Sequence, residues 1–310
     1  MQQPGGDGDR ATLEDDVRAG MASEIDEDAW VDDLDESDES DDDEDGADDS
    51  DDDEDPDDED GHHAIDELGL PMPVLTVEAA LELLTHGEIE VVGRLSASTN
   101  NAMLAVARGG GLEAACIYKP VIGERPLIDF PDGTLARREV AAFLASNASG
   151  WNIVPATVLR DAHFGEGMVQ LWIRADPEAD PVEMVIGEDP RLRSIAVFDA
   201  AVNNTDRKAG HLVVVPGGHV YGVDHGVTFS PVPKLRTVLW AWRGLAFSEE
   251  EAAVLASLRA GLDGALGAAL RALLDPIEVA ATGRRIDRLL EAGVFPQPDP
   301  RRPAMPWPPV

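Results

Sequence analysis

The chain has 310 residues and a formal net charge of −38, from 62 acidic residues against 24 lysines and arginines. Half of the acids, 31, lie in residues 1–60, where the only bases are Arg10 and Arg18. Such a segment buries too little apolar surface to offset chain entropy, so we predict a disordered acidic arm over 1–69. Because phosphate binding needs clustered bases, the composition also argues against a nucleic-acid partner.

The arm is interpreted as a solvated tail, with an autoinhibitory or partner-attracting role as the alternative. No stretch of the sequence approaches the roughly 18 apolar residues of a membrane span. The N-terminus also lacks the layout of a signal peptide, so we expect a cytoplasmic protein. Cys116 is the single cysteine, which excludes an intrachain disulfide and predicts a small core residue.

The first elements expected after the arm are a helix and a set of strands. Thr76 is placed to cap a helix over 77–85. Runs with the composition and flanking turns of strands follow at 88–95, 102–107, 114–119, 153–159 and 167–172. The first three form an antiparallel meander and the last two a hairpin. Between these groups the apolar spacing predicts a helix over 134–146.

The rest of the chain is predicted to be mainly helical. Apolar residues recur at helical spacing over 191–201, 248–262, 265–274 and 277–291. A β-rich half followed by an α-rich half, without βαβ alternation, favours an α+β fold with two lobes. We place an N-lobe at 70–176 and a C-lobe at 177–294. The proline-rich tail at 295–310 should extend rather than pack.

Two aspartates flank a predicted hairpin in the C-terminal half. Asp206 lies in the sequence NNTDR and Asp224 in VDHG, and the sequence PGG between two apolar runs favours a tight reversal. The hairpin should bring both acids to one edge, where Gly226 permits a sharp bend. An ATP-dependent phosphotransferase needs one such acid for the acceptor hydroxyl and another for magnesium. Taken singly, each aspartate is also typical of a turn or strand end.

Lys119 and Glu139 form a second candidate pair. Lys119 ends the third strand and is one of three lysines in a chain with 21 arginines. A compact ammonium fits between phosphates and a carboxylate where a planar guanidinium does not. Glu139 lies in the next helix beside its apolar stripe, so it can turn toward that strand. The alternative is a surface lysine and a solvated glutamate.

These residues carry a resemblance to a known family. The order of IYKP, RREVAAFL, NNTDR, a hairpin and VDHGVTF resembles the protein-kinase-like fold over residues 88–230. It is most similar to the phosphatidylinositol 3- and 4-kinase-related group with its HipA-like relatives, and also to uncharacterised actinobacterial proteins described as kinase-like. The resemblance implies an α+β, two-lobed PI3/4-kinase-like fold with a β-rich N-lobe and an α-rich C-lobe. It also implies binding of ATP with Mg²⁺ or Mn²⁺ between the lobes.

The resemblance also implies roles for individual residues. Asp206 would be the catalytic base or orient the substrate, and Asp224 would bind the metal. Lys119 would bind the phosphates, held by Glu139. The segment 96–101 would cover the phosphates, and 170–175 would be the hinge beside adenine. The residues that this places at the nucleotide are Ser96, Ser98, Lys119, Gln170, Trp172 and Arg174.

One position departs from the family pattern. Five residues after Asp206 the family usually has an asparagine that binds a second metal, and here that position is His211. Imidazole is a poor ligand for magnesium and a better one for softer ions. His211 is predicted as a metal ligand with Asp224. Three alternatives follow: one metal suffices, a manganese-like ion is preferred, or the enzyme is weakened. We expect transfer of the γ-phosphoryl group to a protein or small-molecule hydroxyl. A nucleotide-binding pseudokinase or regulatory module, or an AMP-transferring enzyme, is the alternative.

Overall fold

The computed structural model describes residues 69–95 and 101–309. The predicted arm therefore lies outside the described residues, except for Gly69. The helices are α1 (Val77–His86), α2 (Leu135–Ser149), α3 (Pro181–Ile186), α4 (Arg193–Val202), α5 (Glu249–Leu262), α6 (Ala265–Arg271) and α7 (Pro276–Ala292). The strands are β1 (Glu88–Arg94), β2 (Met103–Gly109), β3 (Leu112–Pro120), β4 (Thr157–Ala162), β5 (Gly165–Leu171), β6 (Leu212–Val214) and β7 (Val220–Gly222).

Strands β1 to β5 form one antiparallel sheet in the order β1-β2-β3-β5-β4. The predicted meander and the predicted hairpin thus share a sheet, because β3 pairs with β5 from Cys116 opposite Leu171 to Pro120 opposite Gly167. A Cβ at Gly167 would lie 2.5 Å from the carbonyl oxygen of Lys119. Glycine therefore lets β5 come close to the end of β3 that carries Lys119.

Helix α2 begins where a loop glutamate supplies its cap. The backbone N–H groups of Leu135 and Ala136 donate to the carboxylate of Glu124, at 3.0 and 2.7 Å. The hydroxyl of Thr134 instead donates to the carbonyl oxygen of Pro131. A carboxylate satisfies the free N–H groups of a helix start and complements the helix dipole. The contact fixes the loop after β3 to the helix that carries Glu139.

The second half of the chain is mainly helical, as the apolar spacing predicted. Helices α4, α5, α6 and α7 begin and end within a few residues of the predicted bounds, and β6 and β7 form the predicted hairpin. Helix α3 was not predicted. The main apolar core runs through both halves and includes Leu84, Phe143, Ile195, Leu255 and Ile286. The protein thus combines a sheet part with a helical part.

A buried ion pair joins α2 to the last helix. The Arg138 guanidinium lies 2.7 Å from the carboxylate of Glu278 and donates to the carbonyl oxygen of Thr228 at 2.8 Å. Both charged side chains are buried. Breaking one side of such a pair leaves an uncompensated buried charge, so the pair fixes the position of α2 relative to α7.

A second, smaller apolar cluster lies where β2, β3 and β5 face α2. Its members are Ala102, Leu104, Ala115, Ile117, Ala136, Val140, Met168 and Trp172. Leu70 and Met72 pack against it. The carbonyl oxygen of Pro71 also accepts a hydrogen bond of 2.7 Å from the Ala115 N–H. The segment that follows the arm is therefore part of the core.

The proline-rich tail packs onto the helical part, so the prediction that it would extend without packing was wrong. The carbonyl oxygen of Ala304 accepts hydrogen bonds from the Thr237 N–H at 3.1 Å and the Trp240 indole N–H at 3.0 Å. Phe295 is buried in the main core. A proline-rich segment has fewer N–H donors but keeps every carbonyl acceptor. These acceptors attach the tail to donors on the body of the protein.

Among the described residues, no single helix is long and apolar enough to cross a membrane. Helices α5 and α6 pass that test only when taken together, and they are bent by 64° at their junction.

Candidate active site

The side chain of Lys119 lies between two carboxylates at the end of β3. Its Nζ donates to Glu139 Oε1 on α2 and to Asp224 Oδ1 just after β7, each at 2.9 Å. The Lys119 side chain is 18 % exposed and that of Glu139 is 2 % exposed, whereas that of Asp224 is 43 % exposed. The cluster is therefore buried on the glutamate side and open to a ligand on the aspartate side.

The backbone around Asp224 is fixed to the same glutamate. The His225 N–H donates to Glu139 Oε2 at 2.8 Å, so one carboxylate holds both Lys119 and the residue after Asp224. Asp224 itself has a positive φ of 58°. A non-glycine residue with positive φ costs free energy and persists only where surrounding contacts enforce it. Such strained positions concentrate at functional sites.

The charges of this cluster shift one another. Asp224 has its pKa well below the usual aspartate range, mainly because the Lys119 ammonium is adjacent. Burial alone lowers the pKa of Lys119, but Asp224 and Glu139 outweigh burial and raise it. Burial raises the pKa of Glu139, and Asp224 adds to that rise while Lys119 opposes it. Lys119 therefore stays protonated and Asp224 stays ionised at neutral pH.

His211 lies on the other side of Asp224. Its Nε2 is 3.5 Å from Asp224 Oδ2. Burial lowers the pKa of His211 to about 4, so the imidazole is neutral at physiological pH. Its buried Nδ1 has no hydrogen-bond partner within the part of the chain that the structure describes. A neutral imidazole beside a carboxylate has the donor chemistry of a metal ligand.

Asp206 lies at the same end of the β6–β7 hairpin as Asp224, as the sequence predicted. Its backbone N–H donates to Asn204 Oδ1 at 3.0 Å, which forms a tight turn before the hairpin. Burial raises the pKa of Asp206, and nearby Asp224 raises it further, whereas Lys208 opposes the rise. A half-buried carboxylate with a raised pKa close to a second acid is suited to accept a proton.

Sequence reasoning missed the buried side chains behind the two aspartates. Asp199 on α4, Arg207 and His225 are fully buried, and Arg207 contacts both of the other two. Arg207 lies within NNTDR, yet only the aspartate of that motif was considered. The available signal was Asp199 itself, a carboxylate within an otherwise apolar helical turn, eight residues before an arginine.

The predicted adenine-side residues occupy different environments. Gln170 is buried in β5, and its side-chain amide donates to Thr157 Oγ1 at 2.9 Å. Trp172 is buried in the second apolar cluster, and Arg174 is exposed. Their predicted contacts with adenine stay a prediction. Ser96 and Ser98 lie outside the described residues.

The donor set around Asp224 fits a divalent cation that is completed by a ligand. Within the described residues, no group of three or more His, Cys, Asp or Glu side chains is arranged to hold a metal on its own. Mg²⁺ and similar ions are usually held by one or two protein ligands together with substrate phosphates and water. Asp224 would supply the carboxylate, with His211 beside it. The Nε2 of His211 is the nitrogen on the Asp224 side, 3.5 Å from Asp224 Oδ2, so it is the atom that such an ion would meet.

The fold and site together define a mixed α/β protein with a lysine and three acidic side chains where a sheet meets helices. No protein-family model matches the chain. The chain is 39 % identical to Protein Rv2133c of Mycobacterium tuberculosis over 275 residues, covering 77 % of this chain and 98 % of the relative. The chain belongs to the same family as Protein Rv2133c.

One of the solved structures that are similar to the chain is the proinflammatory kinase CtkA of Helicobacter pylori, with 10 % sequence identity and a TM-score of 0.42. The similarity covers 68 % of this chain and 94 % of the other. Similarity of this degree assigns no activity to the chain.

Proposed function

We propose that the protein is an ATP-dependent phosphotransferase with a two-lobed, PI3/4-kinase-like fold. It would transfer the γ-phosphoryl group of ATP to a hydroxyl of a protein or small molecule. One observation carries the proposal: the Nζ of Lys119 lies 2.9 Å from a carboxylate oxygen of Glu139 and 2.9 Å from one of Asp224. The three residues come from separate parts of the chain. Phosphoryl transfer needs a lysine for the phosphates, held by one acid, near a second acid for the metal.

Each charged residue would have a distinct task in this reaction. Lys119 would neutralise phosphate oxygens, and Glu139 would keep its ammonium in place. A Mg²⁺ or Mn²⁺ ion held by Asp224 and His211 would supply charge stabilisation for the transferred group. Asp206 would orient the acceptor hydroxyl and take its proton, because it lies beside Asp224 with a raised pKa.

A second candidate function is a nucleotide-binding module without transfer activity. The observation that favours it is His211, a buried neutral imidazole at the position where the family resemblance implies an oxygen ligand. Magnesium prefers oxygen ligands, so the exchange weakens the expected metal site. A further possibility is an enzyme of the same fold that transfers the AMP moiety of ATP instead of the γ-phosphoryl group.

Labelled ATP separates these functions. The full-length protein is incubated with ATP labelled at the α- or the γ-phosphate, in Mg²⁺ or Mn²⁺, with casein, with a cell lysate and with small-molecule alcohols. Incorporation of γ-label alone supports phosphoryl transfer, and incorporation of α-label supports AMP transfer. Binding of ATP without incorporation of either label, with every metal and acceptor tried, supports the binding module.

The matched control replaces an aspartate outside the site. Asp206→Ala should abolish incorporation, whereas Asp263→Ala, which changes an exposed aspartate between α5 and α6, should leave it unchanged. Incorporation that survives Asp206→Ala would show that a different protein in the preparation carries the activity or that Asp206 has another role.

A further inference from the structure

We propose that Arg207 is a positioning residue that fixes the separation of Asp206 and Asp224. The proposal rests on the proposed function, in which Asp206 serves the acceptor and Asp224 the metal. Arg207 directly follows Asp206 in the chain, and its side chain extends into the interior rather than toward solvent. It is 0 % exposed, so its donors are all directed at protein groups.

One side of the guanidinium is anchored on helix α4. Its Nε donates to Asp199 Oδ2 at 2.8 Å and its Nη2 to Asp199 Oδ1 at 3.0 Å. The side-chain amide of Asn204 donates to the same carboxylate at 3.0 Å. A bidentate pair between a guanidinium and a carboxylate fixes orientation as well as distance. Arg207 is therefore held in one orientation from behind the site.

The other side of the guanidinium reaches both neighbours of Asp224. Its Nη1 donates to the carbonyl oxygen of Val223 at 2.9 Å, and its Nη2 is 2.7 Å from His225 Nε2. A further, longer bond of 3.3 Å runs from Nη1 to the carbonyl oxygen of His211. Arg207, which directly follows Asp206, thus binds the residue on each side of Asp224 through its own side chain.

The contact with His225 fixes the protonation of that ring. Arginine has only donors, so the Nε2 of His225 must accept, and the proton of the neutral ring is on Nδ1. The ring packs edge-on against Phe198 of α4.

The backbone of β7 passes close to the Arg207 guanidinium. A Cβ at Gly222 would lie 3.0 Å from Arg207 Nη2, so glycine there lets β7 pass close to the guanidinium. Lysine has a single ammonium, which cannot reach Asp199, Val223 and His225 together as the planar fork does. Buried ion pairs contribute little net stability on average. The distribution of contacts across both motifs therefore indicates positioning of the site.

The test compares Arg207→Lys with a matched arginine elsewhere. Arg193 donates to Glu251 through the same Nε and Nη2 fork, at 2.9 and 2.8 Å, and lies away from the proposed site. The first readout is hydrogen exchange of two amides that report on the two motifs. The Thr205 N–H donates to Val227, and the His225 N–H donates to Glu139.

Arg207→Lys should accelerate exchange of both amides by about tenfold or more, while Arg193→Lys changes neither. Phosphoryl transfer should lose about 100-fold in kcat with the KM for ATP changed only a few-fold, because displaced catalytic groups affect the chemical step. The proposal would be overturned by faster hydrogen exchange at only one of the two amides, or by an equally large acceleration in Arg193→Lys. A change in the KM for ATP without a fall in kcat would also overturn it.

A measurement on the unmodified protein covers the case in which Arg207→Lys does not fold. The ¹⁵N shifts of the His225 ring should show an unprotonated Nε2 and a protonated Nδ1. A proton on Nε2 would exclude the Arg207 contact and overturn the proposal. If the parent protein transfers no label, the proposed function fails, but the exchange and ring measurements still decide whether Arg207 couples the two motifs.

Discussion

Lys119 and Asp224 form an ion pair of 2.9 Å although 105 residues separate them in the chain. The same ammonium also pairs with Glu139, so two carboxylates share a single positive charge. Lys119 is on the sheet, Glu139 is on α2 and Asp224 follows the hairpin. The three charges therefore depend on one another for compensation, and removal of the lysine leaves two acids together.

We predict that Lys119→Met lowers the free energy of unfolding by about 3 kcal/mol at neutral pH, because breaking the buried Lys119–Glu139 pair leaves the charge of Glu139 uncompensated. Urea unfolding monitored by circular dichroism measures the change. Arg137→Met is the control, since Arg137 and its partner Glu166 are 37 % and 44 % exposed and such a surface pair contributes under about 1 kcal/mol. Equal losses in the two variants would show that the Lys119 cluster has no special contribution.

We predict that ATP with Mn²⁺ or Mg²⁺ raises the melting temperature, since a ligand that binds only the folded state stabilises it. Asp224→Asn should remove the part of the shift that depends on the metal, because the amide lacks the carboxylate charge. Differential scanning fluorimetry with and without metal measures both parts. Asp287→Asn, at an exposed aspartate on α7 that pairs with Arg259, should keep the full shift. A full shift in Asp224→Asn would contradict the metal assignment.

The elements of the fold could be predicted because they follow local patterns. Helix spacing and turn residues gave the helices of the second half and the β6–β7 hairpin. The pairing of β3 with β5 could not be predicted, because it depends on contact between segments about fifty residues apart. The packed tail was also out of reach, since its carbonyl groups bind donors on Thr237 and Trp240 that no local pattern connects to it.

The charged residues of the candidate site could be predicted from the sequence, whereas the buried residues that hold them in place could not. Lys119, Glu139 and Asp224 lie in recognisable motifs, and the structure brings them into contact. Asp199 lies in a helix whose neighbours are apolar, so its spacing indicates core rather than a partner for Arg207. Such supporting contacts depend on buried geometry, which motif spacing does not specify.

We predict that the acidic arm and the segment after it differ in their contribution to stability. A protein that starts at residue 63 should keep the parent melting temperature, because the deleted composition contributes no apolar surface. A protein that starts at residue 74 should melt at a lower temperature, since Leu70 and Met72 pack on the second cluster and Pro71 binds Ala115. Scanning calorimetry compares the two. A large fall in the melting temperature of the protein that starts at residue 63 would show that the arm packs on the folded part of the chain.

We predict that His211→Asn reduces destabilisation by acid in chelator-treated protein. The unfolded chain binds a proton on His211 near the ordinary pKa of 6.5, whereas the folded protein does so only near 4. Between these values the unfolded state holds the extra proton, so stability falls as pH falls, by about 1.4 kcal/mol per pH unit. Urea unfolding from pH 6.5 to pH 4 should therefore show a shallower decline in the variant.

The exposed His163 gives the control for that series. His163→Asn removes one histidine without touching the buried cluster, so its decline with pH should follow the parent. If His211→Asn also follows the parent, the ring of His211 is not held neutral in the folded protein. Its assignment as a neutral metal ligand would then be withdrawn.

We predict that Asp206→Ala separates chemistry from binding. Under the proposed function Asp206 acts on the acceptor proton, and the loss of an interaction used only in the transition state lowers turnover while the affinity for ATP stays within a few-fold of the parent. Lys119→Ala should weaken both, since under the proposed function Lys119 would contact phosphates that are present in the ground state. Calorimetric titration gives the ATP affinity, and γ-label transfer gives the rate. Burial raises the pKa of Asp206 above the usual aspartate value of 3.8, so Asp206 gains a proton at a higher pH than an ordinary aspartate. As the pH falls, the transfer rate of the parent protein should therefore begin to decline at a pH above that value. Unchanged transfer in Asp206→Ala, or equal loss of ATP binding in the two variants, would remove Asp206 from the proposed chemistry.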